Sequence, residues 1–265
     1  MIGWNQRVLE LGPAAGDMTR ALAAQSCRVT AIEYDAANRA DLEEVADEVI
    51  IADLNDPHVF DRIDGNFDVV LAGDVLEHLI DPETVLKSVV RLLAPGGRVV
   101  ISLPNIAHVD VRLALLQGRF DYTTVGLLDK THLRFFTRKS IDQLVTAAGL
   151  LIIEMHKVRH PAFHTELGVN RDAVSPHVLA EILADPDAQT YQFVFMAVRN
   201  DGNQHTAQLA DKYTSLRENY DLALEHLGTT QAQLAAIQAS KTLRYTAKPR
   251  AVYHRLEALL KSKRS

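Results

Sequence analysis

"VLELGPAAG", residues 8–16, joins an apolar run interrupted by Glu10 to two glycines that enclose Pro13, Ala14 and Ala15. The run reads as a strand, and the segment from Asp17 onward reads as a helix. Gly12 and Gly16 therefore fall in the turn leaving the strand, where a ligand can approach the backbone without meeting a Cβ. Two familiar nucleotide loops do not fit this turn. No Gly-Lys-Ser/Thr follows, as a phosphate loop requires, and the spacing is G-x-x-x-G rather than the G-x-G-x-x-G of dinucleotide sites.

The same alternation recurs outward from this stretch. "RVLEL", "RVTAIEY", "EVIIADL", "FDVVLAG", "GRVVISLP", "LLIIEMHKV" and "YQFVFMAVR" read as strands, with helices beginning near Asp17, Ala36, Asp81 and Thr137. Strand and helix in regular exchange argue for a parallel sheet covered on both faces. The long connection before the final strand carries a helix around Ser175 to Leu183, so the sheet ends with an antiparallel strand. Glu33 closes the second strand, where a carboxylate can accept both hydroxyls of a ribose. Asp53 closes the third, where it can meet the amino group of an adenine.

Over about residues 7 to 199 these residues together resemble the class I S-adenosylmethionine-dependent methyltransferases. "LELGPAAG" is similar to their first motif, "AIEYD" to their ribose-binding acid, "ADL" to their adenine-side acid, and "FDVVLAGDVLEHLIDPETVL" to their fourth strand with its Glu-His-Leu run. The resemblance implies an α/β fold, a seven-stranded Rossmann-like methyltransferase sheet with helices on both faces, and S-adenosyl-L-methionine as cofactor. It places Glu10, Gly12, Ala14 and Gly16 at the methionine end and Glu33 with Tyr34 at the ribose. Asp53 and Leu54 go to the adenine edge, and Gly73 with Asp74 to the far wall. Ala14 stands where many members carry a glycine.

Asp74, Glu77 and His78 are spaced to share one face of a helical turn, as a metal site requires, and the pattern is similar to that of ubiquinone-pathway O-methyltransferases that bind a divalent ion. The same run without metal would order the turn after the fourth strand. Residues 105–137 leave the repeating plan beyond the fifth strand, where open α/β sheets hold ligands, and are expected to form a lid over the acceptor. Their "GLLDKTHLRFFT" resembles bacterial methyltransferases of cell-surface glycan assembly. A sugar hydroxyl must lose its proton as the new bond forms, and imidazole suits that step at neutral pH. His132 is the first candidate base, with Asp129 to orient it and Arg134 to hold an acceptor oxygen; His108 and His78 are the reserves. Phe120, Tyr122, Phe135 and Phe136 read as lid core more readily than as stacking platforms.

A chain of 265 residues with 47% hydrophobic residues can bury a full core, and its single cysteine, Cys27, can form no internal disulfide. With neither a signal-type segment nor a membrane-spanning apolar run, the expected location is cytoplasmic, possible contact with the inner face of the membrane included. The net charge of −6 is unevenly spread: residues 241–265 carry eight Lys and Arg against Glu257 alone. The acidic body speaks against nucleic acid.

Residues 1–200 thus form the expected methyltransferase domain. Over residues 204–240, Leu209, Tyr213, Leu216, Tyr220, Ala223, Leu227, Thr230, Leu234 and Ile237 step by four and three alternately, the seam of a coiled coil. A second copy of the chain is the expected partner, with antiparallel packing on the chain's own domain as the other arrangement. Residues 241–265 form a basic amphipathic tail suited either to an anionic membrane surface or to plain solvation. The resulting reading is an O-methyltransferase acting on a hydroxyl of a glycan, glycolipid or other envelope saccharide. A small-molecule enzyme of quinone or natural-product type is one alternative, and a non-catalytic scaffold on the same fold is another.

Overall fold

The computed structural model describes residues 1–56, 58–202 and 204–239. Their strands and helices run β1 (Arg7–Leu11), α1 (Asp17–Ala24), β2 (Arg28–Glu33), α2 (Arg39–Glu43), β3 (Glu48–Ile51), β4 (Phe67–Gly73), α3 (Pro82–Leu92), β5 (Leu93–Pro104), α4 (Val109–Leu116), α5 (Arg138–Ala147), β6 (Leu150–Arg159), α6 (Pro176–Leu183), β7 (Thr190–Arg199) and α7 (Gln204–Ala239). Helix starts follow local chemistry. Asp81 caps α3 by accepting the Thr84 N–H at 3.1 Å, ahead of Pro82 in the first turn, and Thr137 and Ser140 form a reciprocal capping box at α5.

One sheet holds seven strands in the order β3-β2-β1-β4-β5-β7-β6. The first five in chain order are parallel, and β7 runs antiparallel to both of its neighbours. The expected antiparallel strand is present, but it is inserted between β5 and β6 rather than added at the edge. Phe193, Phe195 and Ala197 of β7 are fully buried with Ile101, Val89, Ile141 and Val145, in the core shared by one sheet face with α3 and α5. On the opposite face Val8, Val29, Val69, Leu71 and Val100 gather with Leu22 of α1, and Cys27 is buried among them.

Strand order reverses between β1 and β4, so the turns leaving these two strands flank a crevice at the carboxyl edge of the sheet. A smaller apolar cluster stands beyond that edge: Val109, Val111 and Leu113 of α4 meet Leu127, Leu128, Leu167, Val169 and Ala188. Residues 105–137, the segment expected to form a lid, do not pack alone there; the connection between β6 and β7 supplies the other half of the cluster.

The chain divides into two compact units, residues 1–214 and 215–265. In α7, Leu216, Tyr220, Leu227, Leu234 and Ile237 of the expected seam are each more than half exposed. No helix of the described residues is long and apolar enough to cross a membrane. The basic tail from residue 241 lies outside the described residues.

Candidate functional site

The turn after β1 is built on left-handed backbone: Gly12, Ala14 and Gly16 have φ of +60°, +49° and +81°. A Cβ on Gly12 would stand 2.8 Å from Cγ2 of Val75, so a side chain there would have to displace Val75 as well as strain the backbone. Ala14 tolerates its conformation because its N–H donates to Oε2 of Glu33 at 2.9 Å, while Oε1 of Glu33 accepts the Asp35 N–H at 2.8 Å. Glu33 is thus a buried brace between the ends of β1 and β2 as well as a wall of the crevice.

The crevice has two lobes. One, of about 650 Å³, is lined by Glu10, Gly12, Pro13, Ala14, Met18, Gly73, Asp74, Ser102 and Gln192 among others. The second, of about 400 Å³, is lined by Gly12, Ala14, Glu33, Tyr34, Asp53, Leu54, Asn55, Asp74, Val75, His78 and Leu79, with Ile32 beneath. Nine of the ten residues expected at the cofactor therefore line one lobe or both; Gly16 lines neither and serves as the N-terminal cap of α1. Met18, Asn55, Ser102 and Gln192 were not foreseen, because they face the crevice from helix, turn and neighbouring-strand positions that carry no motif of their own; Val75 and Leu79 lie within "DVLEHL" but were not assigned to the cofactor.

Glu10 is buried, its carboxyl pushed up by desolvation and pulled partly back by the Thr19 hydroxyl, which donates to it at 2.8 Å. A cation beside it would restore its charge. Asp53, exposed, accepts from both the backbone and side-chain nitrogens of Asn55 at 2.9 Å. Asp74 is a non-glycine residue at φ +55° and lines both lobes. Its conformation is held by reciprocal bonds with Ser102, N–H to Oγ at 3.1 Å and Oγ to Oδ1 at 3.0 Å, and by the Gln192 amide on the same carboxylate oxygen. Strain of this kind, fixed by neighbours, is common where a side chain must be aimed.

The expected metal set is corrected. A 3₁₀ turn at Leu76–His78 follows Asp74 in place of an α-helical one, so Asp74 turns toward Ser102 and Gln192. Glu77 and His78 instead meet His132, with one potential ligand atom from each lying within 4.8 Å of the others. Burial pushes the Glu77 carboxyl up to about 8, and Asp74 adds to the rise.

Of the three histidines proposed as bases, His132 and His108 stand away from the crevice. His132 lines neither lobe; its ring sits behind His78, 4.9 Å between centroids, and burial lowers its pKa. Asp129 does not orient it, since Oδ1 accepts the Thr131 N–H and hydroxyl at 2.8 and 2.6 Å, an arrangement that lowers the Asp129 pKa. Arg134 holds no acceptor: its guanidinium donates to the Ile80 carbonyl at 3.1 Å, while the N–H groups of Leu133 and Arg134 donate to the Glu77 carbonyl at 2.8 and 2.9 Å. The Thr-His-Leu-Arg segment is a clamp onto the turn after β4. His108 is fully buried at the start of α4, where Nδ1 accepts the Asp110 N–H at 3.2 Å and Nε2 lies 3.0 Å from the His160 carbonyl. Only His78 of the three reaches the crevice wall.

In the lid, Phe120 packs edge-on against Tyr122 and Phe135, and Phe136 is buried in the main core. Glu166 ties the two halves together, accepting the Leu127 N–H at 2.6 Å and the Tyr191 hydroxyl at 3.1 Å. Gly126 makes room for that carboxylate, which a Cβ there would overlap.

A family model described as "Methyltransferase domain" matches residues 4–155. A ubiquinone biosynthesis O-methyltransferase of Aeromonas salmonicida is 26% identical over 175 residues, covering 64% of this chain and 74% of the relative. One of the same name from Cupriavidus pinatubonensis is 23% identical over 188 residues, covering 66% and 72%. Among solved structures, a SAM-dependent methyltransferase from Archaeoglobus fulgidus aligns with a TM-score of 0.55 at 14% identity, over 74% of this chain and 87% of that one.

Proposed function

We propose, from the premise that this chain belongs to the methyltransferase-domain family, that it transfers a methyl group from S-adenosyl-L-methionine to the hydroxyl of a small quinone-type or phenolic acceptor. When bound, the cofactor supplies an electrophilic methyl on a sulfonium, and the protein's part is alignment and exclusion of water. The two-lobed crevice fits such a ligand: a buried carboxylate at Glu10 suits its ammonium, Glu33 its ribose diol, and Asp53 with Leu54 and Leu79 its base. Gly12 lets the backbone approach at the bend between the lobes.

The observation that carries the acceptor reading is Asp74, the carboxylate that lines both lobes. We assign it the acceptor hydroxyl. A carboxylate is a weak base for a sugar hydroxyl but adequate for a phenol, whose pKa is near ~10. The relatives' names support the same class. The segment whose resemblance suggested a saccharide is engaged in clamping the turn after β4. The exposed row on α7 supports a second copy of this chain as partner.

The test is methyl transfer from labelled cofactor to a panel of catechols, hydroxylated quinols and envelope saccharides. Product on the phenolic acceptors is expected. Product on saccharides alone would restore the glycan reading, and failure to bind the cofactor at all would favour a non-catalytic scaffold.

A further inference from the structure

We infer that Glu77, His78 and His132 hold one divalent first-row cation of the zinc class, which staples the Thr131–Arg134 segment of the lid to the turn after β4. The donor set stands on its own; only its position beside the methyl-transfer crevice rests on the reading above.

Two buried side-chain atoms among the described residues lack any hydrogen-bond partner, Oε2 of Glu77 and Nδ1 of His132, and both belong to this cluster. Glu77 is 1% exposed, so water does not make up the loss. One imidazole also has its other nitrogen engaged by backbone. His78 Nδ1 lies 3.2 Å from the Thr131 carbonyl, which leaves Nε2 as the acceptor. Metal-ligating histidines are held in this way by a second hydrogen bond that fixes tautomer and ring orientation. Two imidazoles and one carboxylate favour borderline cations over magnesium or calcium. Donors on one tetrahedral ion at ~2.1 Å lie about 3.4 Å apart, so the widest pair here has at most ~1.4 Å to close, a matter of small side-chain rotations. A divalent charge there would favour the ionised form of the buried Glu77 carboxyl.

The elements joined give the cation its role. Glu77 and His78 belong to the turn after β4 and His132 to the lid, and His78 is also wall of the crevice. The ion therefore fixes the lid's inner end and the crevice wall together.

The test uses the full chain, free of any affinity tag, stripped with chelator and titrated with Co²⁺ alone. One equivalent should give a saturable visible absorption band that Zn²⁺ abolishes, and Zn²⁺ at a hundredfold excess over its Kd should raise Tm by about 5–10 °C. Glu77→Gln and His132→Asn should each weaken Co²⁺ binding at least ~10- to 100-fold. The absence of a Zn²⁺-sensitive band in the wild type overturns the proposal, and so do variants that bind Co²⁺ as the wild type does. Should either variant fail to fold, the wild-type band and Tm shift decide alone. A parallel titration with S-adenosylmethionine separates the two readings. Cofactor bound without Co²⁺ sinks only the cation site, and Co²⁺ bound without cofactor sinks only the methyltransferase reading of the crevice.

Discussion

At the scale of single residues, Glu33 and Asp53 make a contrast that sequence position alone does not reveal. Both end strands and both line the smaller lobe, yet Glu33 is buried and takes two backbone N–H groups while Asp53 is exposed. Glu33→Ala should therefore lower both cofactor affinity and thermal stability, the latter by about 1–3 kcal/mol for the N–H groups left unpaired. Asp53→Ala should weaken the cofactor and leave stability within about 0.5 kcal/mol. Calorimetric titration and a melting curve on each variant check this pair of outcomes. Asp74→Asn should cut turnover on a phenolic acceptor by about 10²- to 10⁴-fold while cofactor affinity changes little, and an unchanged rate constant would move the acceptor's hydrogen bond to another group. The strand-end acids were legible because a strand ending in a carboxylate beside a glycine turn needs only local information. The neighbours of His132 were not, since Glu77 lies 55 positions earlier in the chain and only the packed lid brings the two together. His108 was misread for a different reason: a histidine two residues before an acceptable N–H can cap a helix as readily as it can take a proton.

At the scale of elements, the clamp between the lid and the turn after β4 explains why "DVLEHL" and "THLRFF" belong together. Three interactions cross between them, two N–H bonds to the Glu77 carbonyl and His78 to the Thr131 carbonyl, and Arg134 adds two guanidinium bonds to the carbonyl of the next residue, Ile80. Arg134→Ala removes the donor to that last carbonyl and, since both residues are exposed, should destabilise the lid by about 0.5–1.5 kcal/mol, the net worth of a hydrogen bond. Limited proteolysis in the 120–135 region should accelerate accordingly, whereas an acceptor-binding arginine would raise KM and leave proteolysis alone. Most strands were legible to within a residue from apolar runs such as "YQFVFMAVR", while β3 stops three residues short of the end of "EVIIADL" and β5 begins at Leu93, four residues ahead of "GRVVISLP". The place of that strand between β5 and β6 was not, because period-two burial fixes which face a residue takes and says nothing about which neighbour it pairs with. The second half of the lid escaped for a related reason: apart from the helix at Pro176–Leu183, residues 160–189 carry no periodic signal, and Leu167, Val169 and Ala188 find partners across the chain in α4 and at Leu127 and Leu128.

At the scale of the whole molecule, α7 is 36 residues of helix whose described seam positions are left to solvent. If a second copy covers that row, removing residues 204–265 should leave a folded domain that still binds cofactor and should halve the mass per particle beyond the loss of the segment itself. Light scattering that shows an unchanged number of chains per particle would contradict the pairing. In the proposed complex one ligand bends around Gly12 and occupies both lobes. Calorimetric titration of the intact chain with S-adenosylmethionine tests this most directly. One molecule should bind per chain, and Glu33→Ala and Asp53→Ala should each weaken it by about 1–3 kcal/mol, roughly 5- to 150-fold. No heat of binding in the wild type, or equal affinity in the wild type and both variants, would contradict it.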